Sequence, residues 1–146
     1  MQSVSESETD FTIVAADECD DSYEGSDDVP GEFRRLTDAL GTEQVAITLI
    51  RVPPHSDFEQ GTGHLHERIE ELYLVTRGTL TMRFGEEIRP VPAGSVARIG
   101  PGTVRSHRNE GDEPVELWAV STLRSHGDAT KIDDFWEASP GAAQTR

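Results

Sequence analysis

Short apolar segments separated by glycine and proline turns are the feature that most constrains this chain. No segment before the C-terminus has the length and the period of about 3.6 residues of a good helix, and only 131–138 offers one or two helical turns. About eight segments have the β-branched or alternating composition of strands: 11–14, 33–36, 45–52, 72–76, 79–84, 88–91, 95–99 and 115–123. Many short strands with turns between them predict an all-β sandwich or barrel.

The distribution of charge predicts an acidic leader followed by one domain. The 146 residues carry 28 acidic and 13 basic side chains, a net charge of −15, which argues against a nucleic-acid binder that neutralises phosphates. Residues 1–33 contain 11 of the acids and no Lys or Arg. We therefore expect an acidic, partly disordered leader at 1–32, a folded domain at 33–124, and a C-terminal cap and tail at 125–146.

Localisation and redox state are predicted from what the sequence lacks. No apolar run approaches the ~20 residues of a membrane helix, and the acidic N-terminus has no signal-peptide pattern. We expect a cytoplasmic protein without membrane partners. Cys19 is the single cysteine, which excludes an internal disulfide and a multi-cysteine zinc site.

Two histidines and a glutamate have the spacing of a metal site. In a strand, residues i and i+2 face the same side about 6–7 Å apart, so His64 and His66 present two neighbouring imidazoles. If the chain bends near Arg68, Glu71 opens the next strand on the same side. A histidine pair alone is more often a surface or hydrogen-bonding feature. Two imidazoles with a carboxylate, however, form a facial triad suited to Fe(II) or Mn(II).

This segment resembles the first motif of the cupins, small double-stranded β-helix (jelly-roll) proteins. His64-x-His66, Glu71 four residues later and Gly78 six residues after that follow the motif, whereas its opening glycine falls at Phe58. The second motif is kept in frame from Gly94 to Asn109, but Gly100 replaces a proline and Arg105 replaces the fourth, histidine, metal ligand. The resemblance implies a cupin barrel and says little about function, since the fold serves many.

Arg105 leaves three arrangements open. In the first, His64, His66 and Glu71 hold a metal (Fe, Mn, Ni or Zn) and Arg105 orients an anionic substrate beside it. In the second, His107 becomes the fourth ligand, which requires a bulge or a register shift. In the third no metal binds, and Arg105 forms a salt bridge with Glu71 above a polar pocket floor.

The remaining candidates concern the ligand and the assembly. Tyr73 shares the face of Glu71, and Arg83 adds to an anion site if it, rather than Met82, faces inward. The resemblance implies either a metalloenzyme acting on a small anionic molecule (a dioxygenase, isomerase or decarboxylase) or a metal-free small-molecule binder or sensor. It also implies a homodimer formed through the outer faces of the sheets. Phe135 and Trp136 are expected to pack as a C-terminal cap or against a second subunit.

Overall fold

The computed structural model describes residues 9–123 and 127–137. These residues form a 3-10 helix at Ala16–Glu18 and one short α-helix, α1, at Thr37–Leu40. They also form ten strands: β1 Glu32–Arg35, β2 Val45–Val52, β3 Gly63–His66, β4 Glu71–Arg77, β5 Thr79–Phe84, β6 Glu87–Pro92, β7 Val96–Ile99, β8 Arg105–Arg108, β9 Val115–Thr122 and β10 Ala129–Ile132. The all-β prediction is confirmed.

The strands make two five-stranded antiparallel sheets. The first sheet has the order β1-β2-β9-β4-β7, and the second has the order β10-β3-β8-β5-β6. Strands that are neighbours in a sheet are often distant in sequence, as β2 and β9 are. That crossing of the chain between two sheets is the jelly-roll arrangement.

The inner faces of the two sheets pack against each other. Ile50 and Leu117 of the first sheet share one buried cluster with Leu80 and Met82 of the second. Alternation explains the clustering, because residues i and i+2 of a strand face the same side. In β9, Val115, Leu117 and Ala119 face the core by this rule. Closing the sheets over one core places the polar inner residues of β3, β4 and β8 around a shared interior.

The acidic leader packs on the outer face of the first sheet. Cys19 and Leu36 form a second buried cluster with Leu49, and Val14 packs against that cluster. The strand predicted at 11–14 is wrong, because this segment forms no strand within the part of the chain that the structure describes. The predicted disorder of the first ten residues falls mostly on 1–8, outside the described residues.

The C-terminal segment pairs with the strand that carries the histidines. The one or two helical turns predicted at 131–138 are wrong, because β10 is antiparallel to β3, with Ala129 opposite His66, and turns follow at 133–137. The Phe135 ring lies against Gly63, where an added Cβ would be 2.7 Å from the ring. The residues beyond 137 lie outside the described part of the chain.

Among the described residues, no helix has the length and hydropathy required to cross a bilayer.

Gly78 joins β4 of the first sheet to β5 of the second in a left-handed conformation. Its φ is 71°, and an added Cβ would lie 2.4 Å from the backbone oxygen of Pro114. Gly85, in the β5–β6 turn, has a φ of 58° but no atom within 4 Å of an added Cβ. Of these two glycines, only Gly78 is required both by close packing and by its left-handed backbone conformation.

We expect Gly78→Ala to destabilise the protein by about 3 kcal/mol or more, because backbone strain and overlap with Pro114 add together. Gly85→Ala is the matched control. It should be destabilised only by its backbone strain, by about 1–2 kcal/mol. Urea unfolding of both variants measures the difference. Equal losses would contradict the close approach.

Candidate metal centre

Strands from both sheets bring the predicted ligands together. His64 and His66 lie on the inner side of β3 in the second sheet, and Glu71 begins β4 in the first sheet. Each offers one ligand atom, and these three atoms all lie within 4.8 Å of one another. The His64 and His66 rings are nearly perpendicular, with centroids 5.1 Å apart. The structure thus gathers the group that the spacing predicted.

His66 is held by a carboxylate on its other ring nitrogen. Its Nδ1 lies 2.8 Å from Oδ1 of Asp128, and its Nε2 lies 3.9 Å from Oε1 of Glu71. Oδ2 of Asp128 accepts hydrogen bonds from the backbone N–H groups of Arg68 and Ile69. Desolvation raises the pKa of Asp128, but these hydrogen bonds outweigh it, so the pKa lies below its ordinary value.

His64 has a corresponding partner in Glu59. Nδ1 of His64 lies 3.2 Å from Oε1 of Glu59, and Oε2 of Glu59 accepts from the Ser106 hydroxyl and the His107 backbone N–H, each at 2.9 Å. Burial raises the pKa of Glu59. Interactions with His107, His64 and Ser106 outweigh burial, so the pKa of Glu59 lies below its ordinary value.

Sequence reasoning missed both carboxylates. Glu59 directly follows Phe58, the position of the absent motif glycine, and this was the one signal that could have identified it. Asp128 is 62 residues from His66 and reaches it because β10 pairs with β3. Nothing in the local sequence indicates that pairing.

Arg105 is fully buried and forms an ion pair with Glu71. Its Nη2 donates to Oε1 of Glu71 at 2.6 Å, and its Nη1 donates to the Thr103 backbone oxygen at 3.2 Å. Its Nε is buried without a hydrogen-bond partner among the described residues. The salt bridge considered in the third arrangement is therefore present. It does not exclude a metal, because a carboxylate has two oxygens and Arg105 bonds one.

His107 lies beside the candidate ligands rather than among them. The candidate metal-binding group consists of His64, His66 and Glu71 and does not include His107. The His107 ring instead stacks on Phe58 and meets Tyr73 edge-on, with ring centroids 5.7 and 6.0 Å away. Burial lowers the pKa of His107, and attraction from nearby acids only partly opposes this. The imidazole is consequently held in its neutral form.

Tyr73 and Arg83, the two candidate ligand-contacting residues besides Arg105, have different surroundings. Tyr73 is buried in the core, where burial and the charge of Glu71 raise the pKa of its hydroxyl well above the ordinary value. It is therefore a hydrogen-bond donor at neutral pH. Arg83 does not line the interior, because Met82 takes the inward position in β5. The Arg83 guanidinium instead lies over the Phe135 ring and donates to the Phe135 backbone oxygen.

The charges around the imidazoles do not balance within this cluster. Glu59 and Asp128 each contact a candidate ligand, Glu71 is one, and Arg105 is paired with Glu71. Three carboxylates and one guanidinium leave two negative charges uncompensated when the imidazoles are neutral. Either a divalent cation or protonation of both imidazoles would bring the cluster to neutrality. The donor set and its charge therefore fit a divalent metal.

The fold and this site define a double-stranded β-helix protein with a candidate metal centre near one end of its interior. A model of the cupin domain matches residues 48–121, half of the sequence. The chain belongs to the cupin family.

Several solved structures are similar to the chain. A sugar phosphate isomerase of the cupin superfamily from Silicibacter pomeroyi is 26% identical with a TM-score of 0.62, over 70% of this chain and 66% of that one. The chain thus spans just under two thirds of that relative. A protein with a double-stranded β-helix domain from Klebsiella pneumoniae is 20% identical with a TM-score of 0.64, over 83% and 96% of the two chains.

A predicted oxalate decarboxylase from Thermotoga maritima is 24% identical with a TM-score of 0.59, over 77% of this chain and 100% of that one. This similarity and that to the Klebsiella protein show the fold alone. No curated protein matches the sequence.

The buried neutral His107 predicts an acid-sensitive fold. Its folded-state pKa lies below the unfolded value of about 6.5, so the unfolded chain binds more protons between the two values. Its contribution to stability is complete above pH 6.5 and decreases as the pH falls toward the folded-state pKa. We expect a slope of up to about 1.4 kcal/mol per pH unit from this residue.

Urea unfolding between about pH 7.5 and 5, with a chelator present, measures that slope. His107→Gln should reduce it. The same slope in His107→Gln and the native protein would contradict the assignment.

Proposed function

We propose that His64, His66 and Glu71 bind a divalent transition metal and that a small anionic organic molecule binds at the open positions of that metal. The observation that carries this proposal is the excess of negative charge around two imidazoles whose Nδ1 atoms already have carboxylate partners. Such carboxylate–histidine pairs are typical of metal-ligating histidines.

The donor set limits the metal and its role. Two nitrogens and one carboxylate oxygen suit Fe(II), Mn(II), Ni(II) or Zn(II). Three protein ligands leave coordination positions open for an exogenous molecule. When bound, the metal supplies a Lewis acid or an oxygen-binding centre. The side chains of the site are between about one seventh and one quarter exposed, with His64 at 23% and Glu71 at 14%, so a small molecule has access.

An anionic ligand fits the residues behind the metal position. A bound metal would leave open positions that can accept an anionic donor, and Arg105 keeps a buried positive charge beside Glu71. The hydroxyl of Tyr73 remains protonated and can donate to an oxyanion. The similarity to a sugar phosphate isomerase supports a phosphate-bearing substrate. Of the dioxygenase, isomerase and decarboxylase classes, we therefore propose an isomerase acting on a phosphorylated small molecule.

A metal-free binding protein is the second candidate, and the Arg105–Glu71 contact favours it. A guanidinium 2.6 Å from Oε1 already compensates that carboxylate and competes with a metal for it. In that case the imidazoles and Tyr73 would hold the small molecule through hydrogen bonds, without catalysis.

A homodimer remains a proposal. The outer face of the first sheet carries three large apolar side chains that are well exposed in the single chain: Leu72, Leu74 and Val96. Apolar side chains collected on one sheet face support association through that face.

We expect protein purified without a chelator to contain stoichiometric transition metal, because the ligands are gathered in the folded chain. His64→Ala should lose that metal. His55→Ala, at an exposed histidine outside the site, should retain it. Added metal at about 100 times its Kd should stabilise the native protein by about 2.7 kcal/mol. Elemental analysis and thermal unfolding measure both effects. Metal-free protein whose stability is unchanged by Fe, Mn, Ni or Zn would favour the second candidate.

Replacing Arg105 tests its competition with the metal. Arg105→His removes the cation paired with Glu71 and adds an imidazole at the family's fourth ligand position, so it should bind Ni²⁺ or Zn²⁺ at least about tenfold more tightly. Arg105→Gln removes the cation without adding a ligand and separates the two effects. Competition with a coloured chelator gives the affinities. A His variant that binds no more tightly than the Gln variant would contradict this placement.

A further inference from the structure

The same arrangement of hydrogen bonds occurs behind both candidate histidine ligands. Each imidazole presents Nδ1 to one oxygen of a carboxylate, while the second oxygen is anchored by two donors. For Asp128 the anchors are the backbone N–H groups of Arg68 and Ile69, at 2.7 and 3.2 Å. These two backbone hydrogen bonds hold the Asp128 carboxylate in place independently of the His66 imidazole.

Glu59 is anchored in the same way. Its Oε2 accepts from the Ser106 hydroxyl and from the backbone N–H of His107. The indole Nε1 of Trp136 donates to the Ser106 oxygen at 2.6 Å, and the one Ser106 hydrogen is shared between Glu59 and the Thr62 backbone oxygen. The His107 N–H is therefore the donor that fixes Glu59. Glu59, like Asp128, is held before any ligand arrives.

An ionised carboxylate only accepts hydrogen bonds, so the imidazole nitrogen facing it must carry the hydrogen. We propose that Asp128 and Glu59 are positioning residues that hold His66 and His64 in the Nδ1–H tautomer, with the lone pair of each Nε2 available to a metal. The inference rests on the proposed function, since it concerns the same site. It adds two residues that no sequence motif marks, one of them outside the part of the chain that matches the family model.

The anchors make amide substitutions informative. In Asp128→Asn, the backbone N–H groups of Arg68 and Ile69 still require an oxygen, so the new amide N–H₂ must face Nδ1 of His66. An N–H₂ group can only donate, and Nδ1 must then be the acceptor. His66 is thereby forced into the Nε2–H tautomer, which cannot ligate through Nε2. Glu59→Gln should act on His64 by the same logic.

Metal affinity is the first readout. We expect Asp128→Asn and Glu59→Gln each to weaken Zn²⁺ binding about 10–100-fold in competition with a coloured chelator. The matched control is Asp133→Asn. Asp133 is an exposed carboxylate directly after β10 that pairs with Lys131, so this variant should bind Zn²⁺ like the native protein. If Glu59→Gln fails to fold, Asp128→Asn alone decides the result. Native-like Zn²⁺ affinity in a folded Asp128→Asn variant would overturn the inference.

The tautomers themselves are the second readout and need no metal. Long-range ¹H–¹⁵N correlation spectra of metal-free protein at about pH 8, where an ordinary imidazole is neutral, distinguish the two tautomers. We expect Nδ1–H for His64 and His66 in the native chain and Nε2–H for His66 in Asp128→Asn. An Nε2–H tautomer in the native protein would overturn the inference.

These outcomes separate the inference from the function on which it rests. Absence of Zn²⁺ binding by native protein whose histidines are in the Nδ1–H form would overturn the proposed metal site while supporting the positioning role. If the native protein binds Zn²⁺ and the Asp128→Asn variant binds it with the same affinity, the metal site is supported and the positioning role is overturned.

Discussion

A buried ion pair between the two sheets is the interaction on which the rest of the site depends. Arg105 of β8 is fully buried, and an uncompensated charge in such a place costs several kcal/mol, so Glu71 of β4 must remain beside it. The pair fixes β4 against β8 where the two sheets approach each other. Because Glu71 is also the candidate carboxylate ligand, one side chain joins the stability of the barrel to the chemistry of its interior.

The barrel gathers charges that are far apart in sequence. Glu59 comes from the β2–β3 connection, Glu71 from the start of β4, and Asp128 from the residue before β10. Their negative charge exceeds the positive charge of Arg105, which is paired with Glu71. In a water-poor interior such an excess is unfavourable unless a cation joins it. The fold thus brings together carboxylates that contact the imidazoles and a negative charge to which a divalent cation would be attracted.

Local patterns predicted seven of the ten strands but not β3, β8 or β10, and motif spacing predicted the principal group of the site. Alternation in β5 and the β-branched run of β2 indicated strands, and His64, His66 and Glu71 met as their spacing indicated. What failed depended on tertiary contacts. Segment 11–14 has strand composition but pairs with none of the ten described strands, whereas 131–138 includes residues that pair with β3. Asp128 could not be predicted, since a register between distant strands places it.

The most direct test of the account is a crystal structure of the protein soaked with Zn²⁺, located by anomalous scattering. The account predicts a peak about 2.0–2.2 Å from an imidazole nitrogen of each of His64 and His66 and from an oxygen of Glu71, with Arg105 still beside that carboxylate. Zinc bound only to the exposed acids of the leader, with the two imidazoles unligated, would contradict it.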